Sequence, residues 1–286
     1  KQKTAYEIRP RDWSSDVCSS DLDFNAMRTS GARFVYIKAS DGRDLGHRNA
    51  ATWYATDRTA AQTAGLFSGF YHYAYLPDTS DKRLIVADAR AQADKFLWRI
   101  AATGGLTAQD LNPALDLEES CVRATSGVCT ARTTAAAATL WALTWLERVE
   151  LRTGRRPLVY STPSWLESWL TPTSTLRRYP LWLARYGMDQ SNPTPNPMMK
   201  LSGGCYQTAW TNADCSAEIA LWQYTDGGNG ASFGVASSSI DLNVMRGGVT
   251  PLGKLLAGNW TAASADTAPI AEATSLSIDT SALTQN

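Results

Sequence analysis

Asp116 and Glu118 stand two residues apart in the run ALDLEE, residues 114–119. Side chains of an extended strand alternate between its faces, so the two carboxyl groups share one face and Leu115 and Leu117 take the other, toward a helix layer. Their Cα atoms then lie about 7 Å apart, from a rise of about 3.3 Å per residue. Enclosed together, such carboxylates repel and desolvate one another. One pKa rises until a protonated acid stands beside an ionised partner. Cleavage of a glycosidic bond needs that pair. An isolated D-x-E is more often a solvent-facing strand end. Here the pair closes an apolar run entered through Pro113, at the strand end where barrel enzymes collect their catalytic groups. A third acid, Asp241, lies inside the apolar run SIDLN, and a buried acid needs a partner or a role.

Aromatic residues supply the other half of a sugar site. In GFYHYAY, Tyr71, Tyr73 and Tyr75 share one face of a strand, while His72 joins Phe70 and Ala74 on the other. Tyr160 ends a later strand. Tyrosine rings stack on sugar faces and their hydroxyls reach polar groups, although core packing is the ordinary role of any single one. Lys38, within FVYIKAS, needs an anion, which the carboxylates supply. Only two histidines exist, His47 and His72. A Ser-His-Asp arrangement would have to use one of them, and neither lies near a G-x-S-x-G pattern. No phosphate-cradling glycine loop is present. Scarce histidine and the lack of a C-x-x-C spacing leave no metal site to expect, and no cofactor.

The elements that must position these residues alternate. Strands are expected at Ala32–Ser40, Leu66–Leu76, Asn112–Glu119, Arg156–Thr162, Tyr179–Tyr186, Glu218–Thr225 and Ser238–Met245. Helices are expected at His47–Gly65, Asp81–Ala102 and Thr130–Gly154, two of them closed by glycine, with a short one near Ser164–Leu170. Such alternation predicts an α/β fold with a mostly parallel sheet. Seven buried strands point to a TIM-like β/α barrel with a reduced helix count. Such a barrel closes with eight strands, so the first is missing or replaced, before Ala32.

Composition narrows the function. Lys plus Arg equals Asp plus Glu at 27 each, which gives no electrostatic case for nucleic acid or an anionic membrane. No apolar run approaches the roughly 20 residues of a membrane span. Of five cysteines, four fall in polar segments. Three connectivities are open to them, and the local one, Cys121–Cys129 with Cys205–Cys215, is the expected pairing in an exported protein. Cys18 is left over.

The blocks FVYIKASDG, GFYHYA, ALDLEE, RPLVYST, LWLARY, LWQYT and IDLN, in this order over about Asp23–Gly248, resemble the lysozymes of glycoside hydrolase family 25. The resemblance implies hydrolysis of the β-1,4 bond between N-acetylmuramic acid and N-acetylglucosamine in peptidoglycan, by a secreted monomer acting on glycan strands. It also implies roles. Glu118 would be the general acid, and Asp116 and Asp241 would position or stabilise the acetamido group and the developing charge. Lys38, Tyr71, Tyr73, Tyr160, Trp182 and Gln223 would make up the substrate-binding set. Asp41 would join them, standing in SDG where the family usually carries the longer Glu. A chitinase-like acetamido-sugar hydrolase is the alternative, but LNPALDLEE lacks the earlier Asp positions of D-x-x-D-x-D-x-E. A glycan-binding barrel without catalysis is a third, against which the three acids argue.

The family opens on a strand reading like G-x-D-V-S, whose Asp is a further active-site acid. Here LDFNAMRTSG, residues 22–31, matches the segment that follows it, and nothing before matches. Instead KQKTAYEI and DWSSDVCSSDL are identified with the in-frame translation of two constant parts of a widely used short-read sequencing adapter, with RPR as the variable index. The expected organisation is therefore a non-biological segment 1–22, a catalytic barrel domain 23–250 and an Ala/Ser/Thr-rich tail or linker 251–286, with the signal peptide lost along with the true N-terminus. On that reading the slot beside Ala32–Ser40 stays open, its neighbouring strands keep exposed edges, and residues 1–22 are irregular.

Overall fold

The structure, a computed structural model, describes residues 6–9, 22–43, 53–188, 196–236, 239–245 and 253–255. The chain forms a mixed α/β fold around one curled sheet. After a short strand β1 (Tyr6–Arg9) come α1 (Phe24–Thr29), β2 (Ala32–Asp41), α2 (Trp53–Thr63), β3 (Phe67–Tyr73), α3 (Lys82–Ala102) and β4 (Ala114–Asp116). A hairpin of β5 (Cys121–Thr125) and β6 (Val128–Arg132) leads into α4 (Ala135–Thr153) and β7 (Leu158–Ser161). Then follow α5 (Pro163–Trp169), α6 (Ser174–Arg177), β8 (Leu181–Ala184), β9 (Ile219–Asn229) and β10 (Ser239–Val244).

Helix boundaries follow the capping residues. Asp23, Asp81, Thr134, Thr162 and Thr173 each accept a backbone N–H in the first turn of the helix they open, satisfying donors that have no partner within the helix. Gly154 ends α4 at φ 68°, a left-handed conformation that glycine adopts without penalty.

The sheet order is β1-β10-β9-β8-β7-β4-β3-β2, closing on itself. Strands β1 to β4 and β7 to β9 run parallel to their neighbours, and β10 runs antiparallel to both β9 and β1. Two apolar layers hold it. Inside lie Phe34, Tyr36, Tyr71, Ala114, Leu158, Tyr160 and Trp182. Outside, the helices pack Trp141, Trp145, Leu146, Phe96 and Ile100 against the outward residues Leu115, Leu117, Leu181 and Leu183. Gly69 makes one inner contact possible: a Cβ there would fall 2.3 Å from the Tyr36 ring.

Two expectations are corrected. The slot beside β2 is not open, because Tyr6–Arg9 occupies it, pairing parallel to β2 and antiparallel to β10. Unpaired N–H and C=O groups on two facing edges offer a template that a short extended backbone can satisfy. The rest of 1–21, including Asp12, Asp16 and Cys18, lies outside the described residues, as do His47 and 256–286. Second, the start of the expected helix Thr130–Gly154 is a strand, β6, paired with β5 around Ser126 (φ 50°) and Gly127 (φ 78°). The positive φ at both turn residues matches the two-residue hairpins that suit twisted strands. Both disulfides form as expected, with Cα–Cα separations of 5.8 Å for Cys121–Cys129 and 5.1 Å for Cys205–Cys215.

Buried polar groups tie the layers together. The Arg58 guanidinium meets Asp110 and the carbonyls of Thr103 (2.9 Å) and Gly105 (2.8 Å). Asp110 also accepts from Ser68 Oγ (2.7 Å) and Thr107 N (2.7 Å). Burial opposes its ionised form, but these donors outweigh it and hold its carboxyl below the ordinary value. Asp57 is different. It sits on the buried face of α2, 3% exposed, bordering a small cavity with Phe24, Met27 and Trp53. Burial pushes its pKa up to about 7. The unfolded carboxyl titrates near 3.9, so between these values the folded chain holds the extra proton. Stability then falls as pH rises through that window, and the loss is complete above about pH 7. We expect Asp57→Asn to raise stability at pH 8 by on the order of 4 kcal/mol, at about 1.4 kcal/mol per pKa unit, and to change it little near pH 4. Thermal melts at the two pH values check this; an equal effect at both would count against it.

Candidate active site

Parallel register draws one row of side chains across the C-terminal ends of the strands. Asp41 on β2 stands opposite Tyr73 on β3, Tyr73 opposite Asp116 on β4, Asp116 opposite Tyr160 on β7, and Tyr160 opposite Trp182 on β8. Asp116 is fully buried within this row, whereas Glu118 is exposed. The sequence reading enclosed both carboxylates. The chain encloses one, because β4 ends at Asp116 and only Leu117 extends the ladder, donating its N–H to Tyr160 O at 3.0 Å. Ser161 Oγ donates to Leu117 O at 2.6 Å. Beyond Glu118, Glu119 Oε1 accepts from Cys121 N at 2.5 Å, and Ser120 O accepts from Thr133 N at 2.9 Å at the base of the hairpin. Glu118 is thus anchored on both sides while the residue itself is exposed.

The phenols record where the acids lie. Burial first, then the carboxylates of Asp116 and Glu118, push the Tyr73 hydroxyl far above its ordinary pKa. Tyr186 is pushed up to about 12, by burial first and then by Asp241, Asp226 and, more weakly, Glu118, with a hydrogen bond to Tyr160 acting the other way. Asp116 and Glu118 thus act on Tyr73, and Asp241, Asp226 and Glu118 on Tyr186, so the four acids are grouped about these two phenols. Asp241 on β10 faces a bulge in β9: Ile240 pairs with Gly228 and Leu242 with Thr225, so Asp226 and Gly227 together oppose it.

Lys38 finds its anion in Asp41, Nζ to Oδ2 at 3.2 Å, and its ammonium lies 5.1 Å from the Tyr73 ring centre. Lys95 of α3 donates to Asp41 O at 2.5 Å, which fixes the end of β2. Tyr71 belongs to the inner core. Gln223 and Trp182 are fully buried below the opening. Gln223 Oε1 accepts from both Tyr160 and Tyr186 hydroxyls, each at 2.7 Å. Trp182 packs edge-on to Tyr160 at 4.9 Å between ring centres, and its indole N–H donates to Asn243 Oδ1 at 2.6 Å. These two residues hold the phenols from beneath.

Tyr186 and Asp226 are the site residues that sequence reading did not single out. Tyr186 had a signal: strand alternation from Trp182 through Ala184 puts it on the inner face, and it is 41% exposed at the opening. Asp226 had none, because its place opposite Asp241 depends on the bulge. The Ser-His possibility at His72 is also resolved. Ser40 Oγ and His72 Nδ1 are 2.7 Å apart, and Nε2 lies 3.0 Å from Gln92 Oε1. All three residues are buried among Phe96, Trp145 and α3, and burial pushes the imidazole down to about 3. This is a neutral structural histidine that substrate does not reach.

Four carboxylates, an ammonium and several phenols around one opening suit acid-assisted cleavage of a sugar linkage. The Gln223 hub is testable. We expect Gln223→Leu, which leaves the buried Tyr160 hydroxyl without its acceptor, to cost about 1–3 kcal/mol. Denaturant midpoints measure it, and an unchanged midpoint would refute the hub.

Comparison with known proteins gives the family. Residues 12–232 match the family model described as glycosyl hydrolases family 25. An N,O-diacetylmuramidase of Arthroderma benhamiae is 33% identical over 199 residues, covering 68% of this chain and 72% of that one. The N,O-diacetylmuramidase of a Chalaropsis species is 32% identical, covering 68% and 84% respectively. In fold, a bacterial lysozyme from Streptomyces coelicolor superposes with a TM-score of 0.60 at 22% identity, covering 91% of this chain and 99% of that one. The chain belongs to the glycosyl hydrolases of family 25.

Proposed function

We propose that this glycoside hydrolase cleaves peptidoglycan at the β-1,4 bond between N-acetylmuramic acid and N-acetylglucosamine, with Glu118 as proton donor. The observation that carries the reading is the division of the D-x-E pair: Asp116 buried in the polar row, Glu118 exposed two residues further on. Glu118 gives its proton to the glycosidic oxygen as the bond to the anomeric carbon breaks, and the leaving sugar departs as an alcohol. Asp116 and Asp241 stabilise positive charge that develops at the anomeric carbon and on the acetamido group held against it. Water then adds to the anomeric carbon, and Glu118 takes its proton, restoring the acid. Tyr73, Tyr160 and Lys38 with Asp41 bound the sugar, Tyr71 supports them from the inner core, and Trp182 and Gln223 fix Tyr160. The N,O-diacetylmuramidases matched above support the substrate. We expect Glu118→Gln to lower turnover of purified cell walls by about 10²–10⁴-fold, the usual contribution of a positioned acid. Near-normal release of reducing ends by that variant would overturn the assignment.

The organisation is proposed on the same footing. We infer a β/α barrel of reduced helix count over 23–250, a tail over 251–286, and a secreted monomer, for which two disulfides speak. We infer also that residues 1–22 derive from a sequencing adapter, on the match of KQKTAYEI and DWSSDVCSSDL; the pairing of β1 is backbone pairing. Sequencing the source gene across codon 22 decides it. The expected result is a different upstream segment coding for an apolar strand, and finding these same codons in the genome would disprove it.

A further inference from the structure

Arg185 follows β8 directly and precedes Tyr186, so it stands at the rim of the site. Its backbone is held on both sides by β9: its N–H donates to Gln223 O at 2.9 Å, and Trp222 Nε1 donates to its carbonyl at 2.9 Å. Its side chain turns away from the row of phenols, toward the disulfide-clamped segment 196–217. There the guanidinium lies 5.6 Å from the centre of the Tyr206 ring, and Lys200 Nζ lies 5.4 Å from the same ring. Lys200 has a counterion, Glu167 Oε1 at 2.8 Å, and Gln207 N donates to that same oxygen at 2.8 Å. Arg185 has none among the described residues, and its Nε is buried without an acceptor. It is partly exposed, so its remaining N–H groups can reach a ligand.

A cation whose backbone is fixed, whose ring contact leaves its in-plane donors available, and which lacks a carboxylate beside an opening lined with four of them, is built to take an anion. The sugar rings of the substrate are neutral. The anions of peptidoglycan are carboxylates on the lactyl substituent of muramic acid: those of the attached peptide, or the lactyl group's own where the peptide is absent. The Arg185 side chain is directed to Tyr206 of the 196–217 segment and not to the phenol row, which favours the longer substituent. We propose that Arg185, braced by Tyr206, binds a carboxylate of the peptide carried by muramic acid, and so sets a preference for peptide-bearing glycan. This rests on the muramidase reading above.

The test compares wild type, Arg185→Ala and Arg185→Lys, each first shown to melt normally, on three soluble glycan preparations. One carries native peptides, one carries the same peptides with their carboxylates amidated, and one is stripped of peptide by an amidase. A charge-assisted hydrogen bond contributes about 1.5–3 kcal/mol, or roughly tenfold or more. Arg185→Ala should therefore lower the kcat/KM ratio of native over amidated peptide strands about tenfold, through KM, with Arg185→Lys in between. An equal loss on all three preparations would mean that Arg185 only screens the acids, and would overturn the proposal alone. So would a loss confined to stripped strands, which would assign the anion to the lactyl carboxylate. If wild type cleaves none of the three, the muramidase reading falls and takes this proposal with it.

Discussion

Asp116 is a carboxyl group with no exposed surface at the end of a three-residue strand, and much of the molecule follows from keeping it there. Burying such a group in an apolar interior would cost several kcal/mol without polar neighbours. Parallel register supplies them by placing Tyr73 on one side and Tyr160 on the other. Tyr160 must in turn be fixed, and Trp182 and Gln223 do so from below through ring packing and a hydrogen bond, with Asn243 holding the Trp182 indole. The inner layer of the sheet is thus apolar at one end and a polar lattice at the other. The transition is made within single strands, from Leu158 to Tyr160 and from Ala114 to Asp116.

Around this lattice the loops take separate tasks. The hairpin after β4 anchors the backbone on the far side of Glu118, and its disulfide closes an eight-residue separation. The segment between β8 and β9 is clamped by the second disulfide and presents Tyr206 and Lys200 beside the opening. Short cross-linked loops lose little entropy when a glycan is bound, because they are ordered beforehand. The core elements need no such clamps, since the helices bury Trp141 and Trp145 completely.

The buried titratable groups outside the site act in opposite directions. His72 is held neutral, so it opposes folding only as pH falls below its unfolded value. Asp57 opposes folding as pH rises toward neutrality. Asp110, paired with Arg58 and several donors, is stabilising over the whole intermediate range. Of the two acids, Asp110 has the Arg58 guanidinium to offset its burial, whereas burial alone sets the shift of Asp57.

Most of the strands and long helices were legible in the sequence, because apolar runs, glycine stops and polar caps are local signals. The D-x-E pair, Asp241 and the aromatic strand GFYHYAY were legible for the same reason, since alternation along one strand depends on no other part of the chain. The β5–β6 hairpin carried a local signal too, a Ser-Gly turn between two short runs, but the disulfide-bearing polar composition masked it. Other features belong to pairing between distant segments. The bulge that sets Asp226 against Asp241, the convergence of Tyr160 and Tyr186 on one Gln223 oxygen, and the filling of the first-strand slot by Tyr6–Arg9 all arise from register across strands. The exposure of Glu118 beside a buried Asp116 is of this kind as well. Alternation puts both on one face, but where β4 leaves the sheet is decided by which neighbour can still pair with it, and after Leu117 none does. Sequence alone determined which residues could do the chemistry; closure of the sheet decided which of them are enclosed and which stay exposed, because burial is a property of the assembled layers and not of any one strand.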